Sequence, residues 1–436
     1  MKLTLGWRVY ILGATLCVAL TICSRNFGDR GGTYFMASLT LAGIAYLLAI
    51  REFFATAIFP RRVVVVGLVL AAAWNIAFLR VPAGADDDIH RYVWDGRLQR
   101  LGYNPYLVVP SDPTAKGLHT PETRNLNNAY LPSPYPPGAL LFFRAVTAIH
   151  ESTFALKVAF VVCEFLIVFV LLDVLPRTGQ GAHLVLAYAW NPLLAIEVAG
   201  SGHIDIVGAL LLLVSGAALV RRWRATAAVA LGLAISVKFL PVVLLPLYWK
   251  RVRVRDAALA AAVVALMYVP FLDRSFFNNG RIPIGSLGTY VQSFRFNGPV
   301  FAALDQVASP QLLAGLALLV GLATATWLRI ASHEWSPDQF AWPMAASLLC
   351  APLVYPWYLL WLLPFLTSAS TLLIIVWTVS IIPTYVVWHL RALGRPWVLP
   401  GWVMPLEYGC LVIAAAIIAA RRIRRSSGQQ TSRSLE

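Results

Sequence analysis

A chain of 436 residues that is 59% hydrophobic and 13% charged, with a mean hydropathy of +0.70, is not a soluble globular domain; such domains carry about 25% charged residues. The formal net charge of +15 lies in short clusters between apolar runs, which is a positive-inside pattern and argues against a nucleic-acid-binding face. Five scattered cysteines, Cys17, Cys23, Cys163, Cys350 and Cys410, form no C-x-x-C pair and indicate neither a disulfide framework nor a zinc site. Apolar runs of membrane-crossing length recur throughout, without the alternation of a barrel. The predicted fold is therefore all-α, because lipid offers backbone polar groups no partners.

The first run, 9–23, has no convincing cleavage site after it and reads as a retained helix, not a signal peptide. Lys2 and Arg8 before it, and Arg51, Arg61 and Arg62 after the second run (33–50), place both flanks in the cytoplasm. The third span, 63–79, then delivers a polar interval to the outer face that lasts to Pro137. A short apolar segment ending near His150 is predicted to lie at the interface, so that 80–150 forms one outer loop with an interfacial helix. Spans follow at 154–174 and 183–198, the latter kinked at Asn191-Pro192, and a further span runs from the turn Gly200-Ser201-Gly202 to Arg221.

The run 225–249 has basic clusters at both ends, so a single crossing would place one of them on the wrong side. A break at Lys238-Phe239-Leu240-Pro241 resolves this, giving a hairpin with Lys238 at its outer tip. Further spans are expected at 256–272, 310–328, 342–354, 356–366, 371–388 and 402–420, with a second outer loop at 273–299. Roughly 12 to 14 crossings result, with both ends cytoplasmic. Residues 1–425 are expected to form one membrane domain, and 426–436 a disordered tail.

The chemistry-bearing residues collect at the outer ends of these spans. Asp86, Asp87 and Asp88 cannot all ionise side by side without compensation, so they read either as a proton acceptor for a hydroxyl or as a solvated helix-capping run. Three adjacent carboxylates could also hold a divalent cation; whether a metal takes part is left unknown. Tyr92 and Trp94 are stacking surfaces for a sugar or members of an interfacial belt. Asn104-Pro105-Tyr106 is a turn. Gly200-Ser201-Gly202, before a helix start, offers an anion site, although Asp205 in the first turn also complements the dipole and His203 suits the turn. Lys238 is costly in lipid and marks a functional position, unless it pairs with Glu164 or Glu197. Tyr355-Pro356-Trp357-Tyr358 breaks an apolar run at the same face.

The stretches Asp87–Gly96, Gly102–Tyr106 and Tyr135-Pro136-Pro137 together resemble the first outer loop of bacterial GT-C-type glycosyltransferases, in particular the polyprenol-phosphate-mannose-dependent mannosyltransferases. Asn191-Pro192, Gly202–Asp205, Lys238 with Pro241, and Tyr355–Tyr358 are similar to later landmarks of that group. The resemblance implies a multi-pass enzyme of the plasma (inner) membrane that moves a sugar, with mannose the best guess, from a polyprenyl-phosphate donor to a lipid or glycan acceptor. It places the reaction on the extracytoplasmic face and a first-loop aspartate, Asp87 or Asp88, as the base of an inverting transfer. Lys238, His203 and Arg91 are then expected on the donor phosphate. Tyr92, Trp94, Asp95, Asn104, Tyr106, Tyr135, Asp205, Tyr355 and Trp357 are expected around the sugar and acceptor. A glycolipid transporter and a lipid-linked glycan ligase are the alternatives.

Overall fold

The computed structural model describes residues 2–57, 59–84, 87–124, 126–280 and 282–433, and the side chains of these except 2–6, 275, 279 and 422–433. Among the described residues the fold is all-α, with isolated bridges from Phe296 and Asn297 to Leu353 in place of any sheet. Among the described residues eight helices, from Trp7–Arg25 to Val403–Arg421, are long and apolar enough to cross a membrane. The protein is a multi-pass membrane protein.

Helices α1 (Lys2–Arg25) and α2 (Thr33–Ala55) form a hairpin, and α3 (Arg61–Leu79) packs beside α1. The polar interval then folds as α4 (Ile89–Arg100), a coil with two short 3-10 turns, and α5 (Pro137–Ile149), before α6 (Thr153–Arg177) re-enters the bundle. Proline at the first position of α5 starts that helix without losing a needed donor, and Ser152 caps α6 by accepting from the Ala155 N–H. Two glycines set the docking of α5. A Cβ on Gly96 would come 2.7 Å from the Phe143 carbonyl oxygen, and one on Gly138 would come 2.3 Å from Ser236 Oγ. Small residues at these points let α5 lie directly on α4 and on the helix Arg224–Val237.

The expected kink at Asn191-Pro192 is present as a 67° bend between Ala182–Ala189 and Leu194–Gly200. Asn191 stabilises it, accepting from the Leu193 N–H at 3.0 Å and donating to Thr378 Oγ1 at 2.9 Å. The second half is wound as a π-helix, and π-helical segments are often found where a fold builds a site. The expected break at Lys238 is also present: Arg224–Val237 ends there, Lys238 is extended (φ −160°, ψ 146°), and a 3-10 helix, Leu240–Tyr248, follows.

Several apolar runs counted among the 12 to 14 crossings are folded as shorter pieces. Asp205–Val220 and Arg224–Val237 are 16 and 14 residues long. The runs 342–354 and 356–366 become Asp338–Leu349 and the 3-10 turns Pro356–Trp361 and Leu363–Phe365. Prolines 356 and 364 stand at the starts of the two 3-10 turns, where each removes a backbone donor, whereas Asp338–Leu349 runs through Pro343. The last helix, Val403–Arg433, extends beyond Ser426 into the segment expected to be disordered.

Candidate active site

The ends of α1, α3, the π-helix and Arg224–Val237 meet at one end of the bundle, and the polar residues there form a buried layer and an accessible one. The buried layer centres on Arg30, in the turn between α1 and α2. Its guanidinium donates to Asp87 Oδ1 at 2.7 Å and to Ser201 Oγ at 2.7 Å, and lies 4.6 Å from the Phe27 ring centroid. Asp87 Oδ2 accepts from the Gly84 N–H at 2.6 Å. A Cβ on Gly84 would stand 2.1 Å from the guanidinium, so this contact requires glycine. The compensating cation that the aspartate run demands is therefore Arg30. Lys157 of α6, buried and donating to the Val81 carbonyl at 2.6 Å, lies within electrostatic range of both.

Beside this pair, Glu197 of the π-helix holds His203 Nε2 at 3.1 Å and accepts from the Tyr385 hydroxyl. His203 is stacked on Trp357 (4.1 Å, 7°), which is stacked in turn on Tyr355 (4.3 Å, 4°), and Tyr355 on Phe296 (4.2 Å, 22°). Burial works against a charge on His203. The Glu197 carboxylate, with Asp88 and Asp205 beyond, outweighs it and raises the imidazole's pKa. Fully buried Asp205 accepts from Lys238 Nζ and from Trp361 Nε1, each at 2.7 Å and each at Oδ1. Neither Glu164 nor Glu197 is the partner of Lys238. Its side chain, 24% exposed, lies 4.0 Å over the ring of Tyr358.

The accessible layer consists of Lys238, Asp88 and a group of half-buried tyrosines. Asp88 Oδ1 accepts from Asn127 Nδ2 at 2.8 Å. Burial pushes the hydroxyls of Tyr92, Tyr135 and Tyr290 up from their ordinary pKa, and the Asp88 charge is the second cause at all three. The same charge contributes at Tyr355 and Tyr358, behind larger causes. One partly exposed carboxylate and one partly exposed ammonium thus neighbour the same neutral phenol, Tyr358, over which Lys238 lies and which feels the Asp88 charge, with a layer of buried paired charges beside them. Such an arrangement can take a proton from a hydroxyl on one side and receive an anion on the other.

Several expected site residues have other roles. Arg91 is turned to the loop: it donates to the carbonyls of Leu131 (3.0 Å), Asn127 (3.3 Å) and Asn128 (2.9 Å). Neither aromatic residue of α4 offers a free face to a sugar. Tyr92 is covered by Phe143 (4.3 Å, 10°), and Trp94 is stacked on His119 (4.2 Å, 19°) inside a small core with Leu98, Ala115 and Leu126. Trp357 has ring partners on both faces. Asp95 is fully buried, accepts from Ser133 Oγ at 2.6 Å, and is pushed up to about 7 by burial, against the lowering effects of Arg91 and Ser133.

Asn104 forms the turn read from the sequence, accepting from the Tyr106 N–H and donating to the Phe271 carbonyl. Tyr106 is committed to the Tyr135 carbonyl. The proposed anion site at Gly200–Gly202 is filled by the protein itself, since Ser201 is bound by Arg30 and Asp205 occupies the helix start. Asp86 lies outside the described residues. Among the described residues no three His, Cys, Asp or Glu side chains converge as a metal site.

The sequence reading missed Arg30, Trp361, Asn127 and Tyr290, and it offered Glu197 as a partner for Lys238 where the structure pairs it with His203. Arg30 alone carried a signal: it stands in a turn that the expected topology puts on the outer side, against the positive-inside trend, where a basic residue calls for a local partner.

A family model described as the N-terminal domain of alpha-(1->6)-mannopyranosyltransferase matches residues 15–253, more than half of the chain. Among curated proteins no sequence match is found. The solved structures include ArnT from Cupriavidus metallidurans bound to undecaprenyl phosphate, which aligns at a TM-score of 0.46 and 18% identity over 83% of this chain and 72% of that one.

Proposed function

The chain belongs to the alpha-(1->6)-mannopyranosyltransferase family, and from that membership we propose that it transfers mannose from a polyprenyl-phosphate donor to a hydroxyl of a lipid or glycan acceptor. The transfer takes place on the extracytoplasmic face, with both chain ends in the cytoplasm. Family membership favours transfer over transport. The observation that carries the mechanism is the pair of accessible charges, Asp88 and Lys238, that neighbour one tyrosine, Tyr358.

Asp88 removes the proton of the acceptor hydroxyl while that oxygen attacks the anomeric carbon from the face opposite the phosphate. The new C–O bond forms as the bond to the phosphate oxygen breaks, the electron pair leaves with the lipid phosphate, and the sugar inverts. Lys238, oriented by Asp205, meets the charge growing on the departing phosphate. Asp88 suits the base better than Asp87, both of whose oxygens are occupied by Arg30 and the Gly84 N–H. A polyprenyl phosphate presents its headgroup at the membrane boundary, and the bundle end is where both charges stand.

The test is mannose transfer by purified protein from polyprenyl-phosphate mannose. Asp88→Asn is expected to lower kcat by about 10²- to 10⁴-fold, the usual contribution of a positioned base. Full activity in Asp88→Asn would remove the base from this mechanism.

A further inference from the structure

Asn127 lies 39 positions from Asp88 in the chain, yet its side-chain amide reaches Asp88 Oδ1 at 2.8 Å, while Asp88 Oδ2 has no hydrogen bond from the described residues. The backbone that presents Asn127 is held on both sides. Before it, Leu126 is anchored in the core of Trp94, Leu98 and Ala115. After it, Asn128 takes a left-handed conformation (φ +48°) that asparagine tolerates better than most residues. Across the turn, Arg91 grips the carbonyls of Asn127, Asn128 and Leu131. The Asn128 amide also reaches Tyr290 Oη at 3.5 Å, joining this turn to the second polar loop. Arg91 and Trp94 thus have a common consequence: they fix the position of one amide.

We propose that Asn127 is the positioning residue of the base, holding Asp88 by one oxygen so that the other is turned to the acceptor hydroxyl. The inference rests on the reading of Asp88 as the base. A carboxylate left to rotate would divide its time among orientations, whereas one oxygen fixed by an N–H leaves a single direction for proton transfer. The other titratable groups around Asp88 are His203 and the hydroxyls of Tyr92, Tyr135, Tyr290, Tyr355 and Tyr358. Among the described residues none of these donates a hydrogen bond to the carboxylate, so Asn127 supplies the directional contact.

The experiment measures kcat and KM for polyprenyl-phosphate mannose for Asn127→Ala, Asn127→Asp and Asp88→Asn in the full-length protein. Asn127→Ala is expected to lower kcat roughly tenfold to a hundredfold, as befits one lost hydrogen bond to a charged group. Donor KM should stay within about twofold, a split that a loss of structure alone would not give. Asn127→Asp keeps the shape of the turn but sets a carboxylate against the base in place of the amide donor, so its kcat should fall at least as far as that of Asn127→Ala. If Asp88→Asn abolishes transfer while both Asn127 variants keep the wild-type kcat, Asn127 does not position the base and Asp88 remains the base. If Asp88→Asn retains activity, the base assignment fails, and this inference fails with it.

Discussion

The buried pair Arg30–Asp87 allows a perturbation whose size and asymmetry follow from the geometry. Both side chains are almost inaccessible and are 2.7 Å apart. Removing one partner of such a pair costs about 3–5 kcal/mol, chiefly because the other is left charged and unpaired. The two losses are not equal, because Lys157 stands within electrostatic range of both residues. Arg30→Met leaves Asp87 with the Gly84 N–H and a nearby ammonium, so its cost should fall near about 3 kcal/mol. Asp87→Asn leaves two buried cations facing each other without an anion, and its cost should approach about 5 kcal/mol. The double variant removes the stranded charge, so a double-mutant cycle should show coupling of at least about 2 kcal/mol. Equilibrium unfolding in detergent micelles, read by tryptophan fluorescence, measures all three. Coupling below about 0.5 kcal/mol, or a greater cost for Arg30→Met than for Asp87→Asn, would refute the reasoning.

Lys238→Met should lower kcat/KM for the lipid-phosphate donor by about a hundredfold or more, with Asp205→Asn losing less, because the ammonium remains but is no longer oriented; steady-state kinetics on both variants checks the order. Gly208→Ala would push a methyl to 1.9 Å from the Trp361 ring, whose Nε1 holds Asp205. It should destabilise the protein by about 1–3 kcal/mol and lower transfer together, as seen in a melting curve and an activity assay. Asp95, with an ordinary value of 3.8 and a value of about 7 in the fold, binds its proton more tightly when folded. Its contribution to stability is therefore lost as pH rises from about 4 to about 7 and is level above that. Asp95→Asn should remove this slope from a plot of melting temperature against pH.

The membrane class, the helical fold, the kink at Asn191-Pro192 and the break at Lys238 were legible in the sequence because each depends on local chemistry. Apolar runs must cross lipid, a proline removes a donor wherever it sits, and a lysine in an apolar run needs a reason to be there. The family resemblance followed from residues close together in the first loop, and the family match includes that loop. Which of those residues stay accessible beside Asp88 was not legible. Tyr92, Trp94, Arg91 and Asp95 have the composition of a binding surface, but α4 turns them into the core of its own loop. Arg30 and Asp87 are 57 positions apart, Asn127 and Asp88 39, and Trp361 and Asp205 156. No periodicity or spacing relates such pairs; they meet only because packed helices bring their ends to one place. Composition and local pattern decided what must be buried and where the chain must bend, while the choice of which charge is neutralised and which is left accessible belonged to the tertiary fold, since the cost of a charge depends on the neighbours that packing supplies.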